Sequence, residues 1–364
     1  MRTRRRRGLL IAAAAGSAAG AAGLALAWWW ILSGGFPLVP IVESSAGRFT
    51  LAAPIPIARS EASGASCGGR FYVVGGIGAL AQTLASFMAY DPRTDAWHTL
   101  PDLPQPLNHP GVVCAGGKVY VVGGFGPLGI RLHGFMFARW NPTDAVWIFD
   151  ATAPAGRWTP GPKLPAPRGA GGVAAADGAI WYAGGIDAGL GVSADLFRLD
   201  LQHGTWDRKA PMALPRDHLR LEAVDHRLFA IAGRPDDLRF NLAVTERYDV
   251  ASDTWSRVAD VPTARSGLAS AVLDGFVYTF GGEHLWTVSD RVERYDPESD
   301  AWKLLPALPE ARHSICAGVV DGRIHLVSGG RHPRLSISAI HRVYTPAPPP
   351  RVGRPAVDAG KAEP

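Results

Sequence analysis

Five arginines stand at one fixed distance from an aromatic residue: Arg59, Arg168, Arg216, Arg265 and Arg312 follow Phe49, Trp158, Trp206, Trp255 and Trp302 by ten positions each. The equivalent place after Trp97 holds Leu107. A guanidinium is planar, permanently charged and able to pair bidentately with a carboxylate, so such a set could hold an acidic ligand. The same regularity would also suit a scaffold residue bonded to the adjacent loop in every repeat, and both readings stay open.

Around Arg216 the chemistry is denser. Arg216, His218, Arg220 and Glu222 stand at every second position, which places them on one face of a predicted innermost strand. The positions that match Glu222 elsewhere in the chain are Ala65, Val113, Ala174, Ala271 and Gly318. Charge among such small residues is costly unless it is paired, so a paired polar site is expected. Glu61 and His109 occupy the repeat position of His218 and can join it. Glu222, Glu61 and His218 are the candidate acid or base groups, with Arg220 and His109 as further ligand-binding candidates beside the five arginines. Desolvation would raise a carboxyl toward the range a general base needs. An internal ion-pair network that fixes strand register would use the same residues.

These residues are positioned by a repeat of about 48 residues. An apolar strand that ends on a glycine pair recurs at Tyr72 to Gly76, Tyr120 to Gly124 and Trp181 to Gly185. Variants of it stand at Phe229 to Gly233, Tyr278 to Gly282 and His325 to Gly329. Between copies, an aromatic-Asp pair opens a turn that closes on a Trp, as in Tyr90-Asp91 to Trp97 and Tyr295-Asp296 to Trp302. From each Trp, or from Phe49, to the second glycine of the next copy is 27 residues. A four-stranded unit of this kind cannot bury both faces alone, so neighbours must stack around an axis. The last unit lacks its own Trp strand after Tyr344, and the segment around Phe49 can supply it, which would close the ring.

Double glycine, aromatic-Asp and Trp at this period resemble the Kelch repeat over roughly residues 47 to 345. The resemblance implies an all-β, six-bladed Kelch-type β-propeller of a bacterial, membrane-anchored or exported kind. It also implies that the arginines at the repeated position lie at the mouth of a central channel and bind acidic ligands. In blade number and compartment the chain is loosely similar to the periplasmic N-acetylneuraminate epimerases. Two functions follow as expectations. One is a recognition module for an acidic glycan or a protein or peptide partner; the other is an acidic-sugar epimerase or mutarotase with Arg as carboxylate anchor and Glu as acid and base. Blade 2 carries an insertion at residues 125 to 146 with His133, Phe135, Met136, Phe137 and Trp140, an aromatic loop suited to binding. Arg234, His284 and Arg331 follow their glycines closely and are expected near the same mouth.

The flanks give an address. Residues 1 to 7 are basic, and residues 8 to 32 are an uncharged apolar run long enough to cross a bilayer as one hydrophobic helix. Residues 33 to 46 read as a linker, and residues 346 to 364 as a Pro-rich tail that cannot build a core. Trp28, Trp29 and Trp30 favour an uncleaved anchor; export with cleavage after Ala27 is the alternative. Both put the propeller outside the cytoplasm.

The net charge of +5 is accounted for by Arg2, Arg4, Arg5, Arg6 and Arg7, so the folded part is near neutral and nucleic-acid binding is not expected. Three cysteines, Cys67, Cys114 and Cys316, show no C-x-x-C spacing and read as buried free thiols. No metal site or cofactor is expected: the chain has no H-E-x-x-H, no Walker loop and no Tyr-His pair of the copper-oxidase kind.

Overall fold

The computed structural model describes residues 38 to 347, apart from 128, 134, 154, 155 and 238, with the side chains of 128 to 139 also outside the description. The basic segment, the hydrophobic run and nearly all of the Pro-rich tail lie outside the described residues. Among those described, no helix is long and apolar enough to cross a membrane.

Six antiparallel sheets stand around one axis. Blade 1 is Ser63–Cys67, Arg70–Val74, Phe87–Asp91 and Ala96–Leu100, running from the axis outward. Blades 2 to 5 repeat that order from the inner strands Gly111–Ala115, Gly172–Ala176, Arg220–Val224 and Ala269–Leu273. Blade 6 is Cys316–Val320, Arg323–Val327 and His341–Pro346, and beside the last of these lies Gly47–Leu51 with Phe49 opposite Tyr344. A fifth strand, Ile41–Ser44, pairs outside it. That strand corrects the reading of residues 33 to 46 as a simple linker: Ser44 Oγ donates to the Gly47 carbonyl at 2.6 Å and closes a tight turn that brings the chain back on itself.

There is no single central core. Six apolar clusters each join one blade to the next, from Phe71 and Val73 against Val320 and Val327 between blades 1 and 6 to Tyr278 and Phe280 against Leu326 and Tyr344 between blades 5 and 6. The repeat residues explain the stacking. Trp97, Trp158, Trp206, Trp255 and Trp302 each donate Nε1–H to a carbonyl of the preceding blade, those of Ala53, Pro101, Pro162, Ala210 and Ala259, at 2.8–2.9 Å. Tyr248 donates to Asp253, which also accepts the Ala210 amide of the neighbouring blade, so the turn after the aromatic-Asp pair is itself part of the seam. Tyr90 with Asp95 and Tyr295 with Asp300 do the same.

The glycine pairs are required where blades crowd together. Gly281 has φ +60°, and a Cβ there would lie 2.1 Å from the Arg312 carbonyl of the next blade. No side chain fits at that distance.

Cys67 and Cys114 form a disulfide between the inner strands of blades 1 and 2, while Cys316 is buried and free. Two of the three expected free thiols are therefore a cross-link. The blade 2 insertion forms a hairpin, Gly129–His133 with Phe135–Arg139. His133, Phe135, Met136 and Phe137 belong to its undescribed side chains, so their role as a binding surface is not placed.

Candidate functional site

The site begins with six backbone positions. The connection into each inner strand forms one bridge to the residue that follows a glycine pair: Ser60 with Ile77, Asn108 with Phe125, Gly169 with Ile186, Asp217 with Arg234, Ser266 with Glu283 and His313 with Gly330. The next residue in each connection is Glu61, His109, Ala170, His218, Gly267 or Ser314, and all six have φ between 49° and 59°. For non-glycine residues this left-handed conformation is sparsely populated and must be held by its surroundings. Here the holding contact runs from blade to blade: His109 N donates to Glu61 O, Ala170 N to His109 O, His218 N to Ala170 O, Gly267 N to His218 O and Ser314 N to Gly267 O, at 2.7–3.1 Å. These links form a collar around the axis. It separates a central channel of about 450 Å3 from a mouth cavity of about 560 Å3, and Glu61, His109 and His218 line both.

The collar carries a connected polar network. Glu61 Oε2 lies 3.0 Å from His109 Nε2, and His313 Nδ1 lies 3.7 Å from Glu61 and 3.5 Å from Glu283. The rings of His109 and His218 meet edge to face at 4.9 Å. His218 Nδ1 bonds to Asp217, which also accepts from Arg234 Nε at 3.0 Å, and Arg234 reaches Glu283 at 3.4 Å. Burial alone would raise the Glu61 carboxyl, but His109, His313 and His218 around it hold it well below the usual carboxylate range. Burial, reinforced by Arg234 and against the pull of Asp217, lowers the His218 imidazole below its ordinary range.

Deeper in the channel, Glu222 accepts from Ser270 Oγ at 2.5 Å and Arg220 Nε donates to the Leu268 carbonyl at 2.5 Å. Both side chains line the channel cavity and are partly buried. Burial pushes the Glu222 carboxyl up to about 7, against the weaker opposing effects of Ser270 and Arg220. A carboxyl raised in the folded state keeps its proton longer than in the unfolded chain, so stability falls as pH rises from about 4.5 to about 7 and then levels. The expected loss is at most about 3 kcal/mol. Denaturant unfolding at pH 5 and pH 8 measures it; Glu222→Gln should abolish the difference, and an unchanged difference in that variant would rule out Glu222 as its source.

The five repeated arginines are elsewhere. Arg59, Arg216, Arg265 and Arg312 are wholly buried and Arg168 nearly so, and none of them lines the channel or the mouth. Each lies within its blade and is used there. Arg265 Nη1 pairs with Glu293 at 2.5 Å, Arg168 with Asp195 at 2.5 Å, and Arg216 with Glu246. Arg59 donates to the Gly75 carbonyl at 2.9 Å and Arg312 to that of Ser328 at 2.6 Å. The expected ring of free cations at the mouth is thus corrected: the guanidiniums tie the glycine turns and third strands of the blades together. Of the expected site residues, Glu61, His109, His218, Arg220 and Glu222 do converge on the channel, and Arg234 and His284 do line the mouth. Arg334 lines the mouth and Arg331 does not. Asp217, Glu283 and His313 were not foreseen; their positions immediately beside the repeat landmarks were the available signal.

The rim above the mouth is apolar. Among the described residues, Leu80, Leu190, Phe240, Trp286 and Leu335 are exposed, and each stands on the loop after a glycine pair, in blades 1, 3, 4, 5 and 6 respectively. Trp286 is 73% and Phe240 59% exposed. Phe125 and Trp140 line the mouth from blade 2. Among the described residues, the other large apolar side chains left exposed, Val39, Ile41, Ile57, Leu214 and Leu304, lie outside these loops.

Sequence comparison agrees with this architecture. The Kelch motif matches residues 58–104, 106–165 and 264–309, which cover blades 1, 2 and 5. Kelch-like protein 15 of Danio rerio is 34% identical over 98 residues, 27% of this chain and 16% of that protein. Kelch-like protein terF of Aspergillus terreus is 26% identical over 246 residues, 65% of this chain and 52% of that protein. Alpha-scruin of Limulus polyphemus is 32% identical over 90 residues, 25% of this chain and 10% of that protein. The matches span at most about half the length of these relatives. Six blades built on one repeat define a β-propeller, and three of those blades carry matched Kelch motifs.

Proposed function

We propose that this propeller is a recognition module that binds a protein partner on its mouth face. The observation that carries the reading is the rim: five blades each place one exposed large apolar side chain on the loop after the glycine pair. Exposed apolar side chains repeated around a polar cleft suit an interaction surface, and aromatic anchors such as Trp286 and Phe240, each with an arginine over its ring, supply most of the energy in such contacts. The polar collar below offers a partner side chain both carboxylates and an arginine.

The propeller is displayed outside the cytoplasm on the apolar segment at residues 8 to 32, in this proposal. The basic residues before that segment support the orientation. The Cys67–Cys114 disulfide supports an oxidising compartment.

A second reading rests on Glu222 and Arg220. A carboxyl titrating near 7 beside an arginine, in a channel open to the mouth, suits acid-base work on an acidic sugar.

One experiment separates the two. The full chain in detergent is panned against a displayed peptide library and titrated with sialic and uronic acids. Enriched peptides should lose at least tenfold in affinity on Trp286→Ala or Phe240→Ala and keep it on Leu304→Ala. Peptide binding indifferent to both rim variants would refute the protein-partner reading, and saturable sugar binding lost in Glu222→Gln would establish the second.

A further inference from the structure

We propose that Glu61, His109 and His218 bind one divalent first-row metal ion, of the Zn2+ or Fe2+ class, on the propeller axis at the collar. One ligand atom from each of the three lies within 4.8 Å of the others. The set is two imidazoles and one carboxylate, the donor combination that suits such ions and leaves coordination positions open. A shell with bonds of about 2.1 Å places tetrahedral ligand atoms about 3.4 Å apart. Binding would draw the widest of these separations, at most 4.8 Å, in to that distance.

The second observation is how the two imidazoles are held. His109 Nδ1 lies 2.7 Å from Asn108 Oδ1, and Asn108 is itself fixed by donating Nδ2–H to Thr83 Oγ1 at 3.0 Å. His218 Nδ1 bonds to the Asp217 carboxylate in the same way, from the residue immediately before it. An acceptor on Nδ1 fixes the tautomer whose Nε2 lone pair is free for a metal, the arrangement that metal-ligating histidines ordinarily show. Both blades thus use the residue before the collar position to aim Nε2 inward. At the four other collar neighbours the preceding residues are Ser60, Gly169, Ser266 and His313. The collar conformation adds rigidity, because each ligand residue is held with positive φ by amide bonds to the neighbouring blades.

Without a metal, His109 Nε2 lies 3.0 Å from Glu61 Oε2, and the ion would sit between these two atoms. Arg234 is the built-in competitor. Its Nη2 lies 3.2 Å from both His218 Nδ1 and His218 Nε2 and so places its positive charge against the ring, while its Nε and Nη1 reach Asp217 and Glu283. To admit a cation, Arg234 must swing off the imidazole and keep its two carboxylate partners. The open coordination positions then face the mouth cavity and the channel, so the ion would hold water or an anionic group of whatever enters. This inference goes beyond the protein-partner reading and does not depend on it.

The test is titration of the chelator-stripped full chain with Co2+, followed by its visible absorption, and with Zn2+ by calorimetry. One ion should bind per chain, with ligand-field bands of a nitrogen and oxygen site. His109→Ala, His218→Ala and Glu61→Gln should each weaken binding by more than tenfold, and Asp217→Asn by about 10–100-fold through the freed tautomer. Arg234→Met should tighten binding, an outcome that damage to the fold would not produce. Absence of one-to-one binding, or binding unchanged in His218→Ala and Glu61→Gln chains that unfold at the wild-type temperature, would overturn the proposal.

Discussion

Replacing Glu293 with Ala is expected to destabilise the propeller by about 3–5 kcal/mol. Arg265 and Glu293 are both completely buried and their pairing is fully supported. Glu293 also accepts from Thr263 Oγ1 at 2.8 Å, and Arg265 donates to the Gly281 carbonyl at 2.6 Å, to the Thr263 carbonyl at 2.8 Å and to Thr279 Oγ1 at 3.0 Å. Removing the carboxylate leaves a guanidinium in the blade with no countercharge, and the cost is that of an orphaned buried ion rather than the worth of one pair. The double change Arg265→Met with Glu293→Leu should recover most of the loss, since an apolar pair of similar volume requires no desolvation. Chemical denaturation of the single and double variants gives the answer. Near-wild-type stability in Glu293→Ala, with loss of ligand binding instead, would return the arginines to a recognition role.

The disulfide is the second large effect. Cys67 and Cys114 are 47 residues apart, and cross-linking a loop of that length removes about 4 kcal/mol of unfolded-chain entropy. We expect Cys67→Ser with Cys114→Ser to lower unfolding free energy by about 2–4 kcal/mol, with the same loss in wild-type protein held under reductant. Thiol titration after unfolding without reductant should find one reactive group, Cys316, which is buried in the native chain. Three reactive thiols in protein made in an oxidising compartment would contradict the cross-link.

The two results bear on how far the residues alone disclose this molecule. The glycine pairs, the 27-residue spacing and the Trp series are legible because each blade repeats the same steric demands: a turn too tight for a Cβ and an indole that bridges to the blade before it. The repeated arginines are legible as a series but not in their role. Their carboxylate partners occupy the second position of the third strand in blades 4 and 5, as Glu246 and Glu293, whereas blade 1 has Met88 there and blade 3 has Phe197. That irregular partner hides the pairing.

The cysteines were misread for a geometric reason. Cys67 and Cys114 stand one residue out of step in the repeat, and an odd offset puts their side chains on opposite faces of their sheets. Opposite faces are the ones that neighbouring blades turn toward each other, so the offset is what makes the link possible. The collar cluster was visible as a shared position of Glu61, His109 and His218. Its metal-ligating geometry was not, because the three residues come from blades 1, 2 and 4 and meet only once the ring is assembled.

The central claim is that the mouth rim is the recognition face. Photo-crosslinking in the native cell tests it most directly, with a benzophenone side chain placed singly at 240, 286 or 304 of the full chain. The account predicts one discrete protein adduct from positions 240 and 286, lost when the neighbouring rim residue Leu335 is changed to Asp, and none from 304 on the outer strand Ala301–Leu305. Adducts from 304 alone would contradict it and move the contact surface to the outer edges of the blades.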